Sequence, residues 1–141
     1  MYYPKYFTLS EFVRSDTAAS LCISNVPTFE NVENLARLCE LVLDPVRKQL
    51  GTPITVTSGF RCPALNKRVG GVSNSQHLSG LAADLKSKDL SELFEALAEN
   101  ENVDQLLFED NGHTRWVHVS IAPVGKQPRN YINRNYKAYI K

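Results

Sequence analysis

Two short segments constrain this chain most, because their polar side chains are of the types that can bind one metal ion together. The first reads Ser-Gln-His77-Leu-Ser-Gly-Leu-Ala-Ala-Asp84, and the second reads Trp116-Val-His118. Two imidazoles and one carboxylate around zinc leave a fourth position open for water, which distinguishes a catalytic site from a closed structural one. The fold of this chain must therefore bring His77, Asp84 and His118 to one point.

Length and charge indicate a single globular domain that recognises its partners locally. The chain has 141 residues, a common size for a domain with one core. Sixteen basic and fifteen acidic side chains leave a net charge of +1, so no overall field attracts nucleic acid or a membrane surface. We expect a monomer that binds no nucleic acid and does not insert into a membrane.

The ends and the cysteines of the chain bear on its compartment. The first residues lack the pattern of a signal peptide, and no apolar run is long enough to span a bilayer. We therefore expect cytoplasmic synthesis, or an export signal that lies elsewhere. The three cysteines are widely spaced and odd in number, which favours reduced thiols over a disulfide framework or a thiolate zinc site.

The helical signals lie mostly in the first third of the chain. A capping box, Thr8-Leu-Ser-Glu11, predicts a short helix, and residues 15–27 read as a loop. Apolar residues at intervals of three and four predict a long amphipathic helix over 28–51, which Pro45 kinks or divides. A second capping box begins at Asp89 and predicts a helix that ends near residue 100.

The strand signals lie later. The predicted strands are 54–58, 105–109 and 115–121, with a turn over 59–63 and a polar turn over 110–114. Alternation in the last strand directs Val117, Val119 and Ile121 to the core, and Trp116, His118 and Ser120 to the opposite face. In the neighbouring strand, Glu109 shares a face with Gln105 and Leu107.

These elements predict an α+β fold with helices early and a mostly antiparallel sheet later. We expect one domain over 1–141, made of a helical part (1–51), a core that holds the metal ligands (52–125), and a basic and aromatic tail (126–141). Small residues between His77 and Asp84 favour a loop that enters a closely packed strand. The composition of the tail is also typical of segments that bind single-stranded nucleic acid, but its shortness and the neutral domain favour a docked tail.

The motifs resemble those of the zinc-dependent D-alanyl-D-alanine carboxypeptidase family, whose superfamily includes lysostaphin-type peptidases and the Hedgehog signalling domain. The matching segments are Ser58-Gly-Phe-Arg-Cys-Pro63, Asn66, Val69-Gly-Gly71, Ser75-x-His77-x-x-Gly80-x-Ala-x-Asp84, Asp104-Gln-Leu-Leu-Phe-Glu109 and Trp116-Val-His-Val-Ser120. The resemblance implies a Hedgehog/DD-peptidase-like fold, with helices flanking a central sheet. It also implies one zinc ion bound by His77, Asp84 and His118.

The same resemblance implies roles for the residues near the ligands. Many members carry an acidic residue three positions before the last histidine, where this chain has Arg115. The segment that ends at Glu109 instead resembles the Hedgehog-like and phage-associated pattern, which assigns the catalytic carboxylate to Glu109. Arg61 and Ser75 are then substrate-binding groups, and the forked donors of Arg61 suit a carboxylate.

Each of these residues also has a structural interpretation. Arg61 is alternatively the partner of a nearby acid, and Ser75 alternatively caps the loop before His77. Trp116 contacts substrate in one interpretation and forms the core or a cleft wall in the other. His113 either assists at the oxyanion or lies exposed in its polar turn without a function.

Two functions follow. The first is a zinc metallopeptidase that cleaves peptidoglycan next to a D-amino acid, either as a carboxypeptidase or as an endopeptidase of the phage endolysin type. Such a protein acts on the cell wall, with phage-type release as the route that we expect. The second is a non-catalytic zinc domain that recognises a wall peptide or a protein partner. Glu109 and Arg61 together favour the enzyme.

Overall fold

The computed structural model describes residues 1–135. Its helices are α1 (Leu9–Val13), α2 (Asp16–Ser20), α3 (Phe29–Leu38), α4 (Asp44–Leu50), α5 (Pro63–Arg68) and α6 (Leu90–Ala98). Its strands are β1 (Thr55–Ser58), β2 (Ala82–Lys86), β3 (Val103–Asp110), β4 (Arg115–Ile121) and β5 (Tyr131–Asn133). A π-helical turn, Cys39–Leu43, joins α3 to α4, and a 3₁₀ turn, Gln76–Ser79, precedes β2.

Within residues 1–135, five strands form one sheet in the order β1-β2-β4-β3-β5. The pairs β1/β2, β2/β4 and β3/β4 are antiparallel, and β5 alone is parallel to its neighbour β3. The predicted α+β class with a mostly antiparallel sheet is confirmed. Strand β5 lies in the segment predicted as a docked tail, of which residues 136–141 lie outside the described residues.

One face of the sheet carries the hydrophobic core. Val117, Val119 and Ile121 of β4 are at most 1% exposed and pack in one cluster with side chains of α3, the π-helical turn and α6. Burying each such side chain contributes about 1.5–3 kcal/mol. The alternation of β4 therefore directs Trp116 and His118 away from this core, as the sequence predicts.

The predicted long helix over 28–51 is helical nearly throughout, but its hydrogen-bond pattern changes before Pro45. Pro45 has no N–H to donate to the carbonyl of Leu41, four residues earlier. The side-chain amide of Asn100 donates to that carbonyl at 3.0 Å, and the N–H of Asp44 bonds to the carbonyl of Cys39 in the π-helical manner. The proline thus lies in the first turn of α4, and it divides the helix without ending it.

Two short helices were not predicted from the sequence. In the predicted loop 15–27, α2 begins after Ser15, whose hydroxyl accepts the N–H of Ala18 at 3.1 Å. After the predicted turn 59–63, α5 begins at Pro63, a residue suited to a first helical turn. Both helices are too short to show an amphipathic period. The prediction of a loop over 15–27 is wrong over Asp16–Ser20.

The structure also reports on membrane crossing. In the part of the chain up to residue 135, no helix combines the length and the apolar character needed to span a bilayer.

Candidate metal centre

The three predicted ligands come from adjacent elements of the sheet. Asp84 on β2 lies directly opposite His118 on β4, and His77 comes from the 3₁₀ turn that leads into β2. One ligand atom from each residue lies within 4.8 Å of the other two, and all three residues are buried. The structure therefore brings together the residues that the motifs single out.

Hydrogen bonds fix the imidazole of His77 in the form that a metal requires. Its Nδ1 lies 2.7 Å from the carbonyl oxygen of Gly59, and because a carbonyl can only accept, Nδ1 carries the proton. The Nε2 atom then presents its lone pair, 3.3 Å from Oδ1 of Asp84. The hydroxyl of Ser75 accepts the N–H of His77 at 3.1 Å, which is the capping contact anticipated as one interpretation of Ser75.

A glycine ends the turn that carries His77. Gly80 has a φ of +77°, which other residues adopt only with strain. A Cβ at this position would lie 2.6 Å from the carbonyl oxygen of Asn31. The motif therefore requires glycine here, so that the turn can pack against α3.

The electrostatics favour an ionised carboxylate at Asp84 and disfavour a charged imidazole at His77. Burial alone would raise the pKa of Asp84, but the nearby His77 and the hydrogen bond from His118 hold it well below its usual range. Burial lowers the pKa of His77, against the attraction of Asp84. The donor set is thus one anionic oxygen and ring nitrogens, a combination that suits zinc.

Arg61 is engaged by the chain itself. Its Nε donates to the hydroxyl of Ser58 at 3.0 Å, Nη1 to Oδ1 of Asn66 at 3.2 Å, and Nη2 to Oδ2 of Asp84 at 3.3 Å. A Cβ at Gly71 would lie 2.1 Å from that Asn66 oxygen, so only glycine leaves room for this arrangement. Arg61 therefore holds the carboxylate oxygen of Asp84 that faces away from the two histidines.

Glu109 and Trp116 form a pair beside the ligands. They are direct neighbours across β3 and β4, and the indole Nε1 of Trp116 donates to Oε2 of Glu109 at 2.8 Å. Both line the cleft into which the ligands face. The structure thus fixes one oxygen of the Glu109 carboxylate at the wall of the cleft.

His113 lies apart from this group. It is exposed in the turn between β3 and β4, where its backbone N–H donates to the side chain of Asn111 at 2.9 Å. The walls of the cleft include Arg61, Ser75 and Trp116 but not His113. Of the residues predicted at the site, His113 is the one that the fold leaves outside.

The cleft has a volume of about 890 Å³, within the range of ligand sites in proteins. Its walls include residues to which the sequence assigned no role, namely Asp104, Lys126, Gln127 and Arg129. Asp104 was already part of a matched motif, as was Asn66, which supports Arg61. Lys126, Gln127 and Arg129 lie in the predicted tail, where no sequence feature indicated that the residues line the cleft.

Two imidazoles and a carboxylate, converging at the base of an open cleft, define a metal-binding domain of the kind used by hydrolytic enzymes. The family model of peptidase M15 matches residues 5–120. The chain therefore belongs to the peptidase M15 family, which confirms the family suggested by the motifs.

A curated relative supports the same assignment. A zinc D-Ala-D-Ala carboxypeptidase from Streptomyces albus G is 41% identical over 83 residues. The match covers 55% of this chain and 32% of the relative, so this chain matches about a third of the relative's length. Together with the His-Asp-His group, it supports the predicted class of zinc metallopeptidase and a single zinc ion.

Proposed function

We propose that this chain is a zinc-dependent peptidase that hydrolyses peptidoglycan peptides next to a D-amino acid. The observation that carries the proposal is the convergence of His77, Asp84 and His118 within 4.8 Å in a cleft that also holds Glu109. The name of the carboxypeptidase relative supports D-alanyl peptides as the substrate class.

The chain's own residues have distinct tasks in this reaction. Bound zinc supplies a Lewis acid and lowers the pKa of its water to about 7. Nε2 of His77, Oδ1 of Asp84 and a ring nitrogen of His118 would hold the ion. Glu109 accepts a proton from the attacking water and delivers it to the leaving amine, as a general base and then a general acid.

Trp116 and Arg61 position these groups. The indole N–H of Trp116, at 2.8 Å from Oε2, orients the carboxylate of Glu109 and forms part of the cleft wall. Arg61 acts through Asp84, because Nη2 donates to Asp84 while Nε and Nη1 hold the guanidinium in place on Ser58 and Asn66. We therefore assign Arg61 the ion-pair interpretation, and Ser75 the capping of the turn before His77.

The alternative is a zinc domain that binds a wall peptide or a protein partner without cleaving it. The placement of Glu109 in the same cleft as the ligands favours the enzyme, since a domain that only binds needs no proton acceptor there. Endolysin-type action after phage release stays a prediction of the sequence.

Digestion of defined muropeptides, followed by mass spectrometry, tests the proposal. We expect zinc-loaded protein to cleave next to a D-amino acid, and chelated protein and Glu109→Gln to be inactive. Glu99→Gln is a matched control, because Glu99 is exposed and lies outside the cleft walls. Loss of a terminal D-alanine identifies a carboxypeptidase, whereas a cut inside the stem or cross-bridge identifies an endopeptidase. Zinc binding with no cleavage of any muropeptide would favour the binding domain instead.

A further inference from the structure

One wall of the cleft is a loop that a buried carboxylate holds in place. Asp104 is 3% exposed. Its Oδ1 accepts the backbone N–H of Arg129 at 2.8 Å, and its Oδ2 accepts Nη2 of Arg129 at 2.8 Å and Nε2 of Gln76 at 3.0 Å. Asp104 thereby connects the loop over 122–130 to the turn that carries His77.

A β-bulge explains why Asp104 faces the cleft. Val103 pairs with Ile121 and Gln105 pairs with Ser120, so β3 has one residue more than β4 at this point. The extra residue is Asp104. Regular alternation would direct it into the core, but a bulge re-aims the side chain. Asp104 and Gln105 consequently both line the cleft.

The anchored loop presents two cations to the cleft, Lys126 and Arg129. Arg129 donates to Asp104 through its backbone N–H, Nε and Nη2, which fixes one edge of the guanidinium, while 62% of the side chain stays exposed. Lys126 is exposed, and within the described part of the chain no carboxylate forms an ion pair with it. The loop therefore presents the ammonium group of Lys126, which has no ion-pair partner among the described residues, beside the guanidinium of Arg129, which Asp104 holds in a fixed orientation.

Strand register places Asp104, and with it Arg129, on the opposite side of the candidate metal ligands from Glu109, and Lys126 lies on the same loop as Arg129. His118 lies opposite Leu107, while Glu109 and Gln105 are two residues away in either direction along β3. Two residues of a strand span about 6.8 Å. A peptide whose scissile bond lies at the ligands therefore reaches the level of Gln105 after about two residues, since an extended chain advances 3.3–3.6 Å per residue. Asp104 and Arg129 lie just beyond that level.

We propose that Lys126 and the outer edge of Arg129 form a subsite for a carboxylate of the substrate peptide, about two residues from the scissile bond. This inference rests on the proposed function and extends it, because it specifies that the substrate peptide carries a negative charge near the scissile bond. Arg61, the residue that the sequence favours for this task, is engaged by the chain. The carboxylate is either the free C-terminus of the peptide or an acidic side chain, because both offer the same pair of oxygens to Lys and Arg.

Paired substrates test the subsite. We would measure kcat/KM of zinc-loaded protein for a D-alanyl peptide, for the same peptide with its C-terminus amidated, and for the peptide with its acidic side chain amidated. We expect amidation of the recognised carboxylate to lower kcat/KM by about 10- to 100-fold, the value of one charge-assisted contact. Lys126→Gln and Arg129→Gln should lower kcat/KM only for the peptide whose recognised carboxylate is free. The ratio of kcat/KM for this peptide to kcat/KM for its amidated form should therefore fall to a few-fold.

Arg134→Gln is the matched control, because Arg134 also forms a two-pronged pair with a carboxylate, Glu95, but lies outside the cleft walls. It should leave the ratio unchanged. Equal rates for all three peptides with wild-type protein would overturn the subsite, as would variants that slow every peptide by the same factor.

Binding measurements separate a failure of the subsite from a failure of the proposed function. The same peptides are titrated calorimetrically into zinc-loaded Glu109→Gln protein, which binds without turnover. A preference for the acid that Lys126→Gln abolishes supports the subsite even if wild-type protein hydrolyses nothing, in which case the peptidase proposal alone fails. Affinities that do not depend on the carboxylate refute the subsite even if hydrolysis is fast.

Discussion

Replacement of Asp104 by alanine tests how much burial adds to the free energy of unfolding that an arginine-carboxylate pair contributes. The chain contains a matched pair of such contacts. In the Asp104–Arg129 pair the side chain of the acid is 4% exposed, whereas in the Glu95–Arg134 pair it is 58% exposed. Both arginines donate through Nε and Nη2. The two pairs therefore differ in the burial of the acid and in the two further hydrogen bonds that Asp104 accepts, from the backbone N–H of Arg129 and from Gln76.

The contacts of Asp104 set the expected loss. Removing one member of a buried pair costs about 3–5 kcal/mol when the remaining charge stays buried. Here the side chain of Arg129 is 62% exposed and can turn to water, and Gln76 keeps the carbonyl of Ile121 at 3.3 Å. The backbone N–H of Arg129 loses its acceptor. We therefore expect Asp104→Ala to cost about 2–3 kcal/mol.

Thermal unfolding measures this difference. For a chain of this size the loss corresponds to a fall in Tm of about 8–12 °C, whereas Glu95→Ala should leave Tm nearly unchanged because exposed pairs contribute little. A loss in Asp104→Ala no larger than that in Glu95→Ala would refute the reasoning from burial.

The same variant should show a characteristic pH dependence. Burial alone would raise the pKa of Asp104, but hydrogen bonds from Arg129 hold it below its usual range. A carboxyl whose pKa is lower in the folded state stabilises the fold above the unfolded value of about 3.9, and this contribution is lost as the pH falls through the folded value. The stability difference between wild type and Asp104→Ala should therefore narrow in acid. A difference that stays constant down to acid unfolding would contradict this assignment.

Three further outcomes are expected. Zinc at a hundredfold excess over its Kd should stabilise the fold by about 2.7 kcal/mol and raise Tm by roughly 10 °C, and Asp84→Asn should abolish most of this rise; an equal rise in both proteins would exclude Asp84 as a ligand. Gly71→Ala should displace Asn66, because the new Cβ would lie 2.1 Å from its Oδ1, and denaturant unfolding should show a loss of about 1.5–3 kcal/mol; unchanged stability would contradict the steric argument. The phenol of Tyr2 donates to the buried carboxylate of Asp44 at 2.5 Å, which raises the pKa of Tyr2 to about 12. The stability that this bond contributes should therefore be complete below about pH 10 and lost as the pH rises toward 12. Absorbance titrations of wild type and Tyr2→Phe test this assignment, and it is refuted if the tyrosine missing from the variant titrates near pH 10.

The three candidate metal ligands could be predicted from the sequence because local rules and a motif point to the same residues. Alternation in β4 separates His118 from the core residues Val117 and Val119, and the structure shows this separation. The small residues before Asp84 predict a closely packed strand, and β2 is the strand paired with β4. Strand register then places Asp84 opposite His118. This long-range pairing can be predicted from the family motif but not from the pattern of either strand alone.

The partners of the predicted residues could not be identified in the same way. Pairing with an acid was one interpretation of Arg61, but the sequence does not indicate which acid. In the structure it is Asp84, which lies 23 residues further along the chain. Nothing in the sequence near Arg129 indicates that it pairs with Asp104, 25 residues away. Such contacts depend on how the sheet is assembled, and the pattern of one segment contains no information about them.

The bulge at Asp104 shows how a single irregularity can shape a whole wall of the cleft. A regular β3 would direct Asp104 into the core, where an ionised carboxylate without partners is strongly unfavourable. The extra residue between Val103 and Gln105 instead turns the carboxylate to the cleft face, where Arg129 and Gln76 satisfy it. The loop over 122–130 is consequently fastened to the same residue that braces the turn carrying His77. Loss of the Asp104 carboxylate should therefore alter both the fit of the substrate and the geometry of the candidate metal ligands, so that the two properties are physically coupled through this one residue.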